Sequence, residues 1–190
     1  MGRSSGRLRT IGVAVAIPEP YGTCLQSYRE SFGDPLARAI PTHVTLLPPT
    51  EVSEARLDEI ERHLQAVAAD ERPFVMHLRG TGSFRPVSPV VFVQLAQGIS
   101  DCERIERRIR SGPLARELKF NYHPHVTVAH DVPDEMLDLA FEKLSSFEAK
   151  FEVLGFSLYE HGQDGVWRPQ RDFVFGQVFP GPHPTEQPAG

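Results

Sequence analysis

Cysteine, long apolar runs and excess positive charge are all scarce in this chain, and each shortage excludes a class of protein. Only Cys24 and Cys102 are present, which is too few for a disulfide framework and favours a reducing compartment. No apolar run approaches the length needed to cross a membrane. The net charge of −5 argues against a broad nucleic-acid surface, although a local basic pocket could still hold one small anion or RNA end.

The amino terminus carries little targeting information. Three arginines precede the apolar run 11–17, which resembles a short secretory signal. The run stops at Pro18 after seven residues, however, and its valine and isoleucine content favours a buried strand. Gly6 stands where a myristoylation signal at Gly2 needs serine or threonine. We therefore expect a cytoplasmic protein.

A tripeptide that occurs twice is the most informative feature present: His43-Val44-Thr45 and His125-Val126-Thr127. With the histidine and threonine content of this chain, random placement gives about 0.03 such triplets. Side chains alternate along a strand, so the histidine and threonine share one face while the valine points to the other. Each copy therefore predicts a strand with a buried back and a front that carries an imidazole and a hydroxyl.

The surroundings of the two motifs also repeat, which predicts an internal duplication with the two histidines 82 residues apart. Each motif is followed by a turn rich in proline or aspartate, an acidic helix start and a helical apolar pattern. We predict an α+β fold of two β-α-β-α-β halves and a closing strand around a central cleft. The predicted strands cover 10–17, 42–47, 74–84, 90–95, 124–129, 150–159 and 172–179, and the predicted helices cover 21–32, 53–69, a segment opened by a capping box at Ser100 and Glu103, and a segment opened by Pro133.

Two local features refine the strand boundaries. Pro48-Pro49 is expected to end the first motif strand, and Gly155 is expected to form a bulge in the strand at 150–159. At the scale of the chain, we expect a loose tail at 1–9, one domain of two pseudo-symmetric lobes at 10–180, and a disordered proline-rich tail at 181–190. The protein is expected to be a monomer.

Two imidazoles and two hydroxyls on facing strands suit a displacement at phosphorus. Histidine titrates near neutrality, so it can give or take a proton. The attacking and leaving oxygens lie on opposite sides of the phosphorus. One of His43 and His125 can then activate water while the other protonates a departing sugar oxygen. Thr45 and Thr127 can donate hydrogen bonds to the non-bridging oxygens. The scheme requires no metal and no cofactor.

Both motifs continue into an apolar residue, as His43-Val44-Thr45-Leu46 and His125-Val126-Thr127-Val128, and Tyr122-His123-Pro124 precedes the second. The H-x-T-x pair and this lead-in resemble the 2H phosphoesterase superfamily, the group similar to the bacterial 2′-5′ RNA ligases and cyclic phosphodiesterases. The resemblance covers roughly 10–180. It implies two lobes whose mostly antiparallel sheets form a V-shaped groove, with the helices outside.

The resemblance also implies roles and substrates. His43 and His125 would be the acid/base pair and Thr45 and Thr127 the phosphate ligands. The substrates would be small nucleotides or RNA termini with 2′,3′-cyclic or 2′-5′ phosphodiester bonds. Pro41 stands before the first motif in place of the family's lead-in, so the choice between base and acid stays open.

Four further residues are candidates for substrate binding in the same cleft. His123 could contact the substrate or make a structural hydrogen bond, and Arg85 lies in a loop that could reach a phosphate or sugar. Tyr159 and Trp167 could stack on a base or close a small core. His130 follows His125 at an odd offset, so we expect its ring to point away from the cleft or to lie in a loop.

Three other interpretations stay open. The motif histidines could be structural. His123, His125, His130 and Asp131 could form part of a zinc site, although the motif at His43 would then have no role. The cleft could also bind a phosphorylated RNA end or nucleotide without turnover.

Overall fold

The computed structural model describes residues 7–177, and its elements follow the predicted order. The strands are β1 (Leu8–Ala16), β2 (His43–Ser53), β3 (Phe74–Ser83), β4 (Val90–Gln97), β5 (His125–His130), β6 (Glu148–Val153), β7 (Gly155–His161) and β8 (Trp167–Val174). The helices are α1 (Tyr21–Ser31), α2 (Leu57–Ala69), α3 (Ile99–Ile109) and α4 (Asp134–Lys143), with single 3₁₀ turns at Glu54–Arg56 and Gly112–Leu114. None of the helices in this part of the chain is long and apolar enough to cross a membrane.

Two four-stranded antiparallel sheets form the two lobes, in the orders β2-β1-β7-β8 and β5-β4-β3-β6. β1 and β2 of the first half lie in one sheet, and β4 and β5 of the second half lie in the other. The third strand of the first half, β3, joins the sheet of the second half. β7 makes the reverse crossing and takes the equivalent place beside β1. The predicted α+β duplicate is confirmed, with the addition that the first lobe is assembled from both ends of the described chain.

The alternation along β1 shows how local sequence directs one face to the core and the other to the cleft. Ile11, Val13 and Val15 are buried in a cluster that joins the two sheets and the helices. Gly12 and Ala14, on the opposite face, line a cavity. Burial of each large aliphatic side chain contributes about 1.5–3 kcal/mol, so the core face holds the strand in place and leaves the other face available for a site.

The prediction that Pro48-Pro49 ends the first motif strand is wrong, because β2 runs through both prolines to Ser53. β2 is an edge strand, and the prolines lie where its register against β1 slips between the pairs Val13–Leu47 and Ile11–Thr50. At a bulge in an edge strand, a missing backbone N–H breaks no ladder hydrogen bond.

The predicted strand at 150–159 is two strands, β6 and β7, which belong to different sheets. The chain changes sheet at the exposed Leu154. Gly155 is therefore the first residue of β7 and not a bulge. A Cβ there would clash with the Phe173 carbonyl oxygen of β8, which explains the glycine.

Other boundaries differ less. α3 begins at Ile99 after Gly98, which has a φ of 96° and no side-chain cap, so the predicted capping box at Ser100 and Glu103 does not form. The last strand begins earlier than predicted, at Trp167, and ends at Val174. Of the predicted tails, Leu8 and Arg9 belong to β1, whereas 1–6 and 181–190 lie outside the described residues.

Candidate active site

The two motif strands face each other across the cleft. β2 and β5 are edge strands of their respective sheets and lie against one another. As a result, Thr127 of β5 lines the same cavity as His43 and Thr45 of β2. The hydroxyl of Tyr122, just before β5, donates a 2.7 Å hydrogen bond to the Thr45 carbonyl oxygen and joins the two motifs directly.

Both motif histidines are held in the same way. Nδ1 of His43 lies 2.6 Å from the Pro41 carbonyl oxygen, and Nδ1 of His125 lies 2.7 Å from that of His123. Since a carbonyl oxygen only accepts, Nδ1 of each neutral ring carries the hydrogen and donates it. Nε2 is then the nitrogen with a free lone pair, as a proton-transfer group requires. In the first motif the Thr45 hydroxyl lies 3.1 Å from His43 Nε2 and donates its hydrogen to this nitrogen.

Burial controls the protonation of both rings. The pKa of His43 is lowered to about 4, mainly by removal from water and in smaller part by Arg29 and His125, while the hydrogen bond to the Pro41 carbonyl acts in the opposite direction. Burial also lowers the pKa of His125. The hydrogen bond to the His123 carbonyl raises this pKa, but its effect is the smaller one. Both rings are therefore neutral at pH 7 when no ligand is bound. His125 is not among the residues that line the cavity shared by His43, Thr45 and Thr127.

Two phenylalanines explain the burial of His125. The ring centroids of Phe84 and Phe92 lie 4.9 and 5.2 Å from that of His125. Phe92 is directly opposite Thr127 in the β4–β5 pairing. The sequence analysis did not assign a role to Phe92, although its position in the strand beside the second motif was a usable signal. His123 is exposed, contacts the same two rings and supplies the carbonyl that holds His125.

A cavity of about 430 Å³ lies beside His43 on the first lobe. Tyr159 and Trp167, both predicted to stack on a base, line it. Gly12 makes room for the indole, since a Cβ there would be 3.3 Å from the Trp167 ring. The backbone N–H of Trp167 donates a 2.8 Å hydrogen bond to the Ala39 carbonyl, which ties β8 to the loop after α1. The cavity therefore places the His43 imidazole beside an aromatic wall.

His130 lines the same cavity, so the prediction that it points away is wrong. The pairing of β4 with β5 slips at Val128-Ala129, and both of these residues are buried. This bulge reverses the alternation and returns His130 to the face of Thr127. β2 has an equivalent slip at Leu46-Leu47, so the duplication preserves the bulge. Two consecutive apolar residues after each motif were the signal in the sequence.

The structure gives little support to Arg85 as a substrate-binding residue or to the zinc site. Arg85 is not among the cavity-lining residues, and its guanidinium is bound to the Asp138 carboxylate at 2.8 Å. Between residues 7 and 177, no three His, Cys, Asp or Glu side chains come together in an arrangement that could hold a metal ion. The group His123, His125, His130 and Asp131 is thus not assembled as a metal site.

Arg29 is a cavity residue that the sequence analysis missed. It lies in the last turn of α1, only 4% exposed, and its Nε donates a 2.7 Å hydrogen bond to Asp34 Oδ2. An arginine in an ordinary helix is mostly solvated, and nothing in the local pattern distinguishes this one.

The comparisons with known proteins agree with this geometry. The model of the 2′-5′ RNA ligase superfamily matches residues 17–165. A Bacillus licheniformis protein named "Putative phosphoesterase" is 29% identical over 152 residues, covering 79% of this chain and 89% of that protein. A protein with the same description from Geobacillus kaustophilus is 26% identical over 167 residues, covering 87% and 95%.

Solved structures show the same fold. Apo LigT of E. coli superposes with a TM-score of 0.64 at 20% identity, over 90% of this chain and 100% of that chain. A Thermus thermophilus protein superposes with a TM-score of 0.58 at 23% identity, over 88% and 98%. Since the family model spans most of the sequence, and the fold agrees, this chain belongs to the 2′-5′ RNA ligase superfamily of 2H phosphoesterases.

Proposed function

We propose that this protein is a phosphodiesterase that hydrolyses 2′,3′-cyclic or 2′-5′ phosphodiester bonds of RNA ends or nucleotides by two-histidine acid/base catalysis, without a metal or cofactor. The observation that carries the proposal is the matched anchoring of His43 and His125, each of which donates Nδ1–H to a backbone carbonyl. Each ring is therefore left with Nε2 as the nitrogen that can exchange a proton; at His43 the Thr45 hydroxyl donates to Nε2 until a phosphoryl oxygen takes that hydrogen. Thr45 and Thr127 provide hydroxyl donors for the non-bridging phosphoryl oxygens.

The pKa values favour His43 as the base. With a pKa of about 4 its ring is neutral over most of the pH range, so Nε2 can take a proton from water as the new O–P bond forms. On the opposite side, His125 gives a proton to the departing sugar oxygen as the old P–O bond breaks. A bound phosphodiester carries negative charge, which favours the imidazolium form of His125 that this step requires.

The aromatic wall supports a nucleoside as the rest of the substrate. Tyr159 and Trp167 offer ring faces on which any base can stack, so the cavity does not require one base identity. E. coli LigT, which shares the fold, has been crystallised in complexes with 3′-AMP, phosphate and ATP. These complexes support a nucleotide ligand for the present cleft.

The test is hydrolysis of a nucleoside 2′,3′-cyclic phosphate in the presence of chelator. Replacement of either motif histidine, as His43→Ala or His125→Ala, should lower the rate on the order of 10²–10⁴-fold. His77→Ala is the matched control, since His77 pairs with Glu148 and does not line the cavity. Product identification by mass and phosphorus NMR completes the assay. Equal rates in all four proteins would end the proposal.

The non-catalytic alternative is distinguished by the same proteins. A binding module would bind the cyclic nucleotide through the same histidines and threonines, and would release no product after long incubation. Titration calorimetry alongside the hydrolysis assay separates the two outcomes.

A further inference from the structure

A buried guanidinium with open donors lies in the cavity beside the proposed reaction centre. Arg29 is 4% exposed and lines the cavity. A guanidinium has five N–H groups, and only the Nε–H is used by a described residue, in the 2.7 Å bond to Asp34. The Nη1 and Nη2 groups donate to no residue between 7 and 177. Donors that open onto a cavity in this way are available to a ligand that accepts their hydrogens.

The carboxylate of Asp34 fixes the direction of that guanidinium. Three donors hold the carboxylate of Asp34. Oδ2 accepts from Arg29 Nε and from the backbone N–H of His130 at 2.9 Å, and Oδ1 accepts from the backbone N–H of Leu36 at 2.8 Å. Its side chain has no exposed surface. With Nε bound to the Asp34 carboxylate, the Nη groups of Arg29 make no bond to that carboxylate, and the Arg29 side chain lines the cavity.

The charge of the cavity points to the kind of ligand. Its described lining contains the guanidinium of Arg29 and three imidazoles, His43, His130 and His161, and no carboxylate. The protein as a whole carries a net charge of −5, so this lining is opposite in sign to the chain average. Arg29 and His43 line the same cavity, and the positive charge of Arg29 contributes to the lowered pKa of His43. A planar fork of this type matches the oxygens of a phosphate.

The geometry points to Arg29 as a ligand of the phosphoryl group that reacts at His43, with Asp34 as the residue that positions it. This inference rests on the proposed function for the identity of the reacting group. Thr45 and Thr127 offer neutral donors to the non-bridging oxygens, and Arg29 adds a full positive charge on the side of α1. The same charge helps to keep His43 unprotonated until the anion is bound.

The experiment measures the dissociation constant of inorganic phosphate by titration calorimetry. Arg29→Gln should weaken phosphate binding about 10- to 100-fold, the range expected for loss of a charge-assisted hydrogen bond. Arg38→Gln is the matched control, because Arg38 is an exposed arginine just after α1 and does not line the cavity. A dissociation constant within twofold of the wild type in Arg29→Gln would overturn the inference.

A second variant and a second measurement distinguish phosphate binding by Arg29 from a role of Arg29 in folding alone. If Arg29→Gln does not fold because Asp34 is left unpaired, the double variant Arg29→Gln/Asp34→Asn removes both charges and is measured instead. An NMR titration should also show that the pKa of His43 rises toward its usual value when the Arg29 charge is removed. An unchanged pKa, together with unchanged phosphate affinity, would show that Arg29 only supports the fold.

The outcomes also separate this inference from the proposed function. In one outcome, phosphate binding depends on Arg29 but the wild type hydrolyses no cyclic phosphate. This result supports the anion site and contradicts the proposed function. Hydrolysis with the same KM in the wild type and in Arg29→Gln supports the function and overturns the role of Arg29.

Discussion

At the scale of single residues, the position of one hydrogen determines what each motif histidine can do. Nδ1 of His43 is 2.6 Å from a backbone carbonyl that lies only two residues before it, and the same local contact recurs at His125. The tautomer is thus set within each motif and does not depend on the other lobe. The pKa, in contrast, depends on what surrounds the ring, since burial is its largest cause in both cases.

The first prediction concerns the acid stability that follows from the pKa of His43. The unfolded ring takes up a proton near pH 6.5, whereas the folded ring resists until about pH 4. The free energy of unfolding should therefore fall as the pH is lowered through this window, and the penalty is absent above it. His43→Gln should remove about 2–3 kcal/mol of that loss at pH 4. Urea unfolding at pH 7, 5.5 and 4 measures the difference.

Thr127→Ala is the control for this measurement, because it changes the same cavity without removing a titrating group or the Thr45 hydroxyl that lies 3.1 Å from His43 Nε2. Its unfolding free energy should keep the wild-type dependence on pH. Parallel curves for the wild type and His43→Gln would contradict the low pKa.

The second prediction concerns the aromatic wall. Trp167→Ala should raise the KM for a nucleoside 2′,3′-cyclic phosphate about tenfold or more, since base stacking contributes about 1–3 kcal/mol. The KM for ribose 2′,3′-cyclic phosphate, which has no base, should change little. Steady-state kinetics with both substrates test this. An equal rise in both KM values would mean that Trp167 supports the cavity and does not contact a base.

At the scale of elements, the bulges determine which side chains face the cleft. A strand without the slip at Val128-Ala129 would direct His130 away from Thr127. The equivalent slip in β2 begins at Leu46, directly after Thr45. Each motif strand is an edge strand, where a bulge disturbs one ladder only. The two halves therefore share the bulge after the motif as well as the motif itself.

The third prediction concerns the contact between the motif strands. Tyr122→Phe removes the hydroxyl that donates to the Thr45 carbonyl at 2.7 Å and leaves the ring in place. The loss should be about 1–3 kcal/mol in the free energy of unfolding, because the carbonyl loses a partner in a half-buried position. The rate of hydrolysis should also fall, since this bond joins β2 to the segment that holds His125.

Tyr28→Phe provides the matched comparison, because the Tyr28 hydroxyl makes no hydrogen bond to the described residues. Urea unfolding and the cyclic phosphate assay on both variants give the readout. A loss of stability in Tyr28→Phe as large as that in Tyr122→Phe would show that the interlobe bond has no specific effect.

At the scale of the whole molecule, the exchange of strands joins the lobes into one unit. β3 leaves the first half for the second sheet, and β7 brings the carboxyl-terminal part of the chain back beside β1. One buried cluster includes side chains from both sheets. Asp34 adds a polar link, since it binds Arg29 on α1 and the backbone of His130 on β5.

The fourth prediction follows from this arrangement. Thermal unfolding should be a single cooperative transition, with the calorimetric enthalpy equal to the van't Hoff enthalpy, because neither sheet is complete without the other half of the chain. Differential scanning calorimetry measures both quantities. Two resolved transitions, or a folded fragment after limited proteolysis, would show that the lobes fold independently.

The sequence by itself determined the features that depend on near neighbours. Alternation along the motif strands and the apolar stripes of the helices predicted the element order, the duplication and the cleft, because these patterns extend over a few residues. The two H-x-T-x motifs predicted that His43, His125, Thr45 and Thr127 belong to one site. The structure brings His43, Thr45 and Thr127 to the same cavity, whereas His125 is not among the residues that line it.

Only the tertiary structure decided what depends on distant parts of the chain. The continuous pattern at 150–159 could not show that β6 and β7 belong to different sheets, since strand pairing is not encoded within the strand. The burial of Arg29 depends on Asp34 and on a backbone N–H almost a hundred residues away, at His130. The low pKa of His43 likewise arises from burial and from charges on other elements, which a local pattern does not contain.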